Sequence, residues 1–167
     1  MSELTTSRRP PAFGYCGWLG AGHTETITTA AAIALDVAGV SVIGLGNGNN
    51  RPVITISSTD DAGTITMSGD NTRFLNIVLV GNDDALTNAV VISGDNCLAD
   101  FESQDTSSAV EMATVVRLDT ANNCTLRLKH IGFPAGNAMV SLVRVDDCDN
   151  VRIYVDFYGI ATTAVVE

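Results

Sequence analysis

Four asparagine-containing turns recur along the chain at nearly constant intervals, and this repeat limits the fold more than any other feature of the sequence. The asparagines are separated by 25, 27 and 27 residues, and they are Asn71, Asn96, Asn123 and Asn150. Self-similarity at a period of about 20 to 50 residues indicates a solenoid or another stacked array. Asparagine suits such a turn because it tolerates left-handed backbone and because stacked amides can bond from one repeat to the next.

Short strands flank each of these turns. The segments TVVRLD (114–119) and SLVRVD (141–146) precede two of them, and NCTLRLKHI (123–131) and NVRIYVDF (150–157) begin at the same turns and continue past them. Apolar β-branched runs and two-residue alternation are typical of strands. The loops between the repeats lack an amphipathic pattern long enough for a crossover helix. The sequence therefore predicts an all-β fold in which each repeat is one rung of a short parallel β-helix.

Stacking at about 4.8 Å per rung would place equivalent residues in columns along the axis. The residue after each asparagine and the residue three positions after it are predicted to point inward, and these are Thr72, Cys97, Cys124 and Val151, then Phe74, Ala99, Leu126 and Ile153. Cys97 and Cys124 would thus be buried thiols, stacked one above the other. They would belong to the same structural ladder as the turn asparagines. A disulfide between them is the alternative. Arg117, Arg144 and Glu167 are expected to form an exposed outer column.

Net charge and cysteine usage exclude several classes of partner and site. The chain has 9 Lys and Arg residues against 19 Asp and Glu residues, with a formal net charge of −10. No basic surface is available for nucleic acid, and the same charge opposes binding to anionic membranes. Cys16, Cys97, Cys124 and Cys148 form no C-x-x-C pair, so neither a metal site nor a cofactor is expected. The first residues do not have the pattern of a secretory signal, which favours reduced thiols.

No group of residues has the pattern of a catalytic site, and we therefore expect no enzymatic activity. His23 and His130 lack partners in a recognisable nucleophile motif, and turn or core roles are favoured for both. The acidic clusters fall in turns and loops, where solvated acids are favoured and calcium binding is the alternative. These clusters are Asp60 with Asp61, Asp83 with Asp84, and Asp146 with Asp147 and Asp149.

Residues 1–24 differ from the rest of the chain and are interpreted as an N-terminal arm or cap, with the β-helix covering 25–167. The segment lacks periodicity but is rich in arginine, proline and aromatic residues, which are enriched at interfaces. Its candidate partner-contact residues are Arg8, Arg9, Pro10, Pro11, Phe13, Tyr15 and Trp18. Capping of the coil and contact with a partner both remain open. The first rung is expected to follow, with Val40, Val42 and Ile43 entering the core.

The segment GVSVIGLGNGNNRPVITIS (39–57), followed by asparagine-headed strands, resembles the opening of right-handed parallel β-helix proteins of the pectin-lyase-like kind. The similarity is to the short versions found among virion proteins of tailed bacteriophages. It implies a right-handed coil of about five rungs. It also implies a non-enzymatic capsid decoration or cement protein, a homotrimer that binds the major capsid protein in a virion assembled in the host cytoplasm. The alternative is a tail fibre or tailspike module that binds or cleaves cell-surface polysaccharide.

Overall fold

The chain forms a parallel β-solenoid of about five turns in the computed structural model, which confirms the predicted all-β, parallel β-helix class. The structure describes residues 16–57, 65–82, 86–107, 112–132, 139–159 and 161–167, the side chains of 162–164 excepted. Two sheets form the walls of the solenoid, and a continuous apolar core lies between them. No helix within these ranges is long and apolar enough to cross a membrane.

The two walls are parallel sheets of different size. Within the described residues the larger sheet has eight strands: β1 (Cys16–Leu19), β2 (Thr24–Ile27), β4 (Ser41–Gly44), β5 (Val53–Ile56), β7 (Arg73–Gly81), β9 (Leu98–Asp105), β11 (Thr125–Ile131) and β13 (Arg152–Tyr158). The smaller sheet has six: β3 (Ile33–Leu35), β6 (Ile65–Met67), β8 (Val90–Ile92), β10 (Thr114–Asp119), β12 (Met139–Asp146) and β14 (Ala161–Val166). A single 3-10 turn, Gly48–Asn50, precedes β5 in the described chain.

The four turn asparagines share one backbone conformation. Their φ angles are 58°, 58°, 57° and 55° for Asn71, Asn96, Asn123 and Asn150, in the left-handed region that asparagine tolerates better than most residues. The amide of Asn150 donates to the Asn123 side-chain oxygen at 2.7 Å, so this pair has the expected bond between rungs. The four repeats that contain these asparagines therefore turn at the same corner.

A second column, one residue before each asparagine, links the rungs through side-chain acceptors. Asp70 Oδ1 accepts the backbone N–H of Asp95 at 2.9 Å, and Asp95 Oδ1 accepts that of Asn122 at 2.8 Å. Asn122 Oδ1 continues the series by accepting the N–H of Asp149 at 2.9 Å. These bonds satisfy backbone donors that a turn would otherwise leave to water.

The inward columns have the composition that the sequence predicted. In the first column Thr72, Cys97 and Cys124 are buried, and in the second Phe74, Ala99 and Leu126 are buried. Val151 and Ile153, in the last rung, are partly buried against the same core. Val40 and Val42 also pack on it, but the expectation for Ile43 was wrong. Alternation along β4 sends that side chain outward, and Ile43 pairs with Trp18 and Leu75 of the neighbouring strands.

The larger sheet includes described residues of the segment that was interpreted as an arm or cap. Strand β1 pairs in parallel with β4, from Cys16 opposite Ser41 to Leu19 opposite Gly44. Strand β2, which spans the boundary expected at residue 25, pairs with β5 in the same way. Both strands have only four residues, and no asparagine turn marks them, so the sequence contains no periodic signal for this rung.

The outer arginine column is present, but its partners are aspartates. Arg117 lies opposite Arg144 in the parallel register of β10 and β12. Arg117 binds Asp146 at 2.8 Å and Asp119 at 3.2 Å, and Arg144 binds Asp146 at 3.1 Å. Glu167 lies in line with this column, because its backbone N–H donates to the Val143 carbonyl at 3.0 Å. The Asp146 carboxylate thus bridges the two arginines.

Substitution of a turn asparagine tests the role of the left-handed corner. We expect Asn123→Ala to lower the free energy of unfolding by about 1 to 2 kcal/mol, because alanine disfavours a positive φ. The variant also loses the bond to Asn150. Asn123→Gly is the matched control, since glycine adopts this conformation without steric cost but loses the same bond. Urea unfolding of both variants measures the difference, and equal stabilities would contradict the explanation.

Candidate functional site

A groove of about 760 Å³ lies on the outer face of the larger sheet. It forms where β7 is irregular between Leu75 and Ile77, at Asn76, whose φ is 59°. The Asn76 amide donates to the carbonyls of Gly44 at 2.8 Å and Gly46 at 3.0 Å and so fixes the bend. The lining of the groove includes one exposed aromatic residue, Tyr154, and the charged residues Arg51, Asp100, Glu102, Arg127, Lys129 and Asp156.

Glu102 is the centre of the polar network in this groove. Its side chain is only 8% exposed, and it accepts hydrogen bonds from Arg51 at 2.8 Å and from Lys129 at 3.3 Å. The Gln104 amide donates to the other carboxylate oxygen. Lys129 and Asp156 follow Glu102 in the register of β9, β11 and β13, so the column alternates in charge. A carboxylate with this many donors is held in a single orientation.

The environment of Glu102 has opposing effects on its pKa. Burial raises the pKa, but hydrogen bonds from Arg51 and Gln104, the positive charge of Arg51 and a hydrogen bond from Lys129 together lower it more. The net pKa lies below the ordinary value of glutamate, so the ionised form is favoured in the folded state. This acid therefore has the electrostatics of a fixed anion rather than of a proton donor at neutral pH.

A neighbouring column adds an aromatic surface to the groove. Asp100, Arg127 and Tyr154 lie opposite one another on β9, β11 and β13. The Arg127 guanidinium lies 5.7 Å from the Tyr154 ring centroid and 3.9 Å from the Asp100 carboxylate. Tyr154 is 56% exposed. A ring beside paired charges offers stacking area and hydrogen-bond donors to a polar ligand.

A second polar cluster is enclosed within the solenoid. Ser103 Oγ lies 2.8 Å from His130 Nδ1, and His130 Nε2 lies 3.3 Å from Asp105 Oδ2. All three side chains are buried, and His130 stacks on Phe157 with ring centroids 5.7 Å apart. The other Asp105 oxygen accepts the Met112 N–H at 3.2 Å. Although these residue types match a hydrolytic triad, Ser103 is fully enclosed, so this arrangement is a polar part of the core.

Some of the predicted site residues lie within the described ranges, and others lie outside them. Arg8, Arg9, Pro10, Pro11, Phe13 and Tyr15 lie outside those ranges, as do Asp60, Asp61, Asp83 and Asp84. Trp18 is 61% exposed on β1. His23 lies 3.3 Å from Glu25. In the described part of the chain no three His, Cys, Asp or Glu side chains group closely enough to hold a metal ion.

Asp146 has a structural role within its acidic cluster. Hydrogen bonds from Arg117 and Arg144 and the charge of both arginines lower its pKa, against a smaller opposing effect of burial.

The groove and the enclosed cluster were not singled out from the sequence. Both carried a signal, because Ser103 and His130, and likewise Glu102 and Lys129, are 27 residues apart, which is one repeat.

No protein-family model matches the chain, and no curated protein or solved structure matches it significantly.

Removal of the groove carboxylate tests its electrostatic role. At neutral pH we expect Glu102→Gln to lower the free energy of unfolding by about 1 to 3 kcal/mol, because Arg51 and Lys129 lose a charged acceptor. Since the folded pKa of Glu102 is lowered, its contribution is present above the unfolded pKa and is lost as pH falls through the folded pKa. Urea unfolding at neutral and acidic pH should show this difference shrink.

The control for that experiment is Asp100→Asn, which removes the exposed 3.9 Å pair with Arg127. Such a pair contributes about 0 to 1 kcal/mol. A difference between wild type and Glu102→Gln that does not change with pH would contradict the assignment.

Substitution of the enclosed histidine tests the polar part of the core. We expect His130→Ala to lower the free energy of unfolding by roughly 2 to 4 kcal/mol, because Ser103 and Asp105 lose a buried partner and Phe157 loses packing. His23→Ala is the matched control at a more exposed site, with an expected change within about 0.5 kcal/mol. Thermal or urea unfolding measures both variants, and equal effects would show that the cluster contributes nothing.

Proposed function

We propose that this protein is a non-enzymatic structural protein of a tailed-bacteriophage virion, a decoration or cement protein that binds the major capsid protein. The observation that carries this proposal is the exposure of Trp18 on β1, directly after the segment rich in arginine, proline and aromatic residues. Among the described strands β1 pairs only with β4, and in this proposal a partner strand binds along its other edge. Tryptophan and arginine are the residues most enriched in interface hot spots.

The remaining support comes from charge and from the sequence resemblance. A net charge of −10 disfavours contact between copies except where a specific interface is built. The phage origin, the right-handed coil and the homotrimer follow from the resemblance of 39–57 to short virion β-helices. In this mechanism, residues 1–15 and β1 bridge adjacent capsid subunits. Each copy then adds buried area that opposes expansion of the shell.

A specific observation also favours a second function, which is binding of cell-surface polysaccharide as part of a tail fibre or tailspike. The outer groove combines the exposed Tyr154 ring with fixed charges on Glu102 and Arg127. Stacking on an aromatic ring and hydrogen bonding to charged groups are suited to a sugar with several hydroxyl groups. Trp18 on β1 and Tyr154 on β13 lie at opposite ends of the described strand order of the larger sheet, so point variants of these two residues distinguish the functions.

Co-sedimentation with capsid shells that lack this protein tests the first function. We expect the wild-type protein to co-sediment and to raise the temperature at which the shells break. Trp18→Ala should weaken binding at least tenfold, as expected for the loss of a hot spot of about 2 kcal/mol. Tyr154→Ala is the matched control, an exposed aromatic residue on β13, and should bind like wild type.

Three outcomes would count against the capsid function. They are absence of binding by the wild type, loss of binding in Tyr154→Ala alone, and release of sugar from a polysaccharide. Deletion of residues 1–15 separates the role of the arm from that of β1. If that variant still binds shells but unfolds more readily, the segment caps the coil and does not contact the partner.

A further inference from the structure

Two buried thiols lie one above the other at the asparagine corner of the solenoid. Leu98 of β9 lies opposite Thr125 of β11. Cys97 directly precedes Leu98, and Cys124 directly precedes Thr125. The Thr125 N–H donates to the Cys97 carbonyl at 2.9 Å, which fixes the two backbones side by side. Adjacent strands are about 4.8 Å apart, within the range of about 4.4 to 6.8 Å between Cα atoms that a disulfide requires.

The two sulfur atoms of this pair lie close to the same backbone groups. The Cys97 N–H donates to Cys124 Sγ at 3.3 Å. Both sulfur atoms approach the same Gly94 carbonyl, Cys97 at 3.2 Å and Cys124 at 3.3 Å. Both thiols therefore converge on one backbone oxygen, which places them at the same point of the corner.

The two thiols differ in acidity. The pKa of Cys97 is lowered to about 6 by a hydrogen bond from the Cys124 thiol, which outweighs the effect of burial, and the Thr72 hydroxyl 3.2 Å away adds to the shift. The pKa of Cys124 is raised, because its proton is held in the hydrogen bond to Cys97 and because it is buried. The thiol with the lowered pKa, Cys97, is therefore the one that we expect to react first.

We propose that Cys97 and Cys124 form a redox-sensitive pair that a peroxide converts to a disulfide between two successive rungs. The Cys97 thiolate attacks one peroxide oxygen, the O–O bond breaks, and the departing hydroxide takes a proton to become water. Cys97 is then a sulfenic acid. Cys124 loses its proton and attacks the Cys97 sulfur, an S–S bond forms, and the S–O bond breaks to release a second water. Two thiols and one peroxide give one disulfide and two waters.

Access to the pair requires a small oxidant. Cys97 is 2% exposed and Cys124 is 1% exposed, but the adjacent Asn96 and Asn123 are at the surface. A peroxide is close to water in size, and local opening of this corner is sufficient to admit it. The disulfide would close a loop of one repeat and restrict the unfolded chain, so oxidation should raise resistance to denaturant.

Peptide mapping of the wild-type protein tests the proposal directly. Trypsin cleavage after Arg73, Arg117 and Arg127 places Cys97 in peptide 74–117 and Cys124 in peptide 118–127. After treatment with hydrogen peroxide, non-reducing mass spectrometry should find these two peptides linked, with the loss of two hydrogen atoms. The rate of linking should increase as pH rises through about 6 and then level off, following the Cys97 thiolate. The urea midpoint should rise and should return after reduction.

Variants identify which thiol reacts first. Cys124→Ser should accumulate a sulfenic acid at Cys97 that dimedone traps, whereas Cys97→Ser should leave Cys124 unmodified at the same peroxide concentration. Cys148→Ser is the control and should form the link like wild type. Oxidation of Cys97 to a sulfinic acid beside a free Cys124 thiol, or a link through Cys16 or Cys148, would overturn the proposal. Should a serine variant fail to fold, the wild-type peptide map decides the question.

Discussion

The left-handed corner at each asparagine is the constraint on which the rest of the solenoid depends. Four successive rungs turn at the same backbone angle, within a few degrees. The residue before each of the first three asparagines accepts a backbone N–H from the next rung, so the corner sets both the turn and the vertical spacing. Without a common corner, the strands on either side could not keep one register, and the inward columns would not align.

Because the rungs stack in register, residues at the same position of successive repeats lie next to one another in a column. Substitutions in a column are therefore adjacent in space although they are one repeat apart in sequence. The Glu102–Lys129 pair on the outer face, the Ser103–His130 pair in the core and the two buried thiols are all vertical neighbours. In a repeat fold of this kind, two polar side chains at the same position of successive repeats are placed side by side and can pair.

Features were predicted correctly where the repeat in the sequence was clear and were missed where it was weak. The repeat of Asn71 and its equivalents identified the inward columns from Thr72 and Phe74 onward, because alternation in strands leaves little freedom once the turn is placed. Ile43 was misplaced, and no strand was predicted at Trp18, since no asparagine turn precedes either residue and their strands have four residues each. The arginine column was correctly aligned, but its partners depended on side-chain reach, which spacing does not determine.

By itself, the sequence determined the fold class, the corner residues and the inward columns, because a strict repeat and two-residue alternation allow one way to stack the rungs. Tertiary structure alone decided the sites. The groove exists because Asn76 binds the carbonyls of Gly44 and Gly46 and bends the larger sheet. The enclosed cluster exists because Asp105, two residues beyond Ser103, reaches across to His130 of the next rung. Such contacts depend on the distances between side chains of different rungs, and those distances are set only when the solenoid is closed.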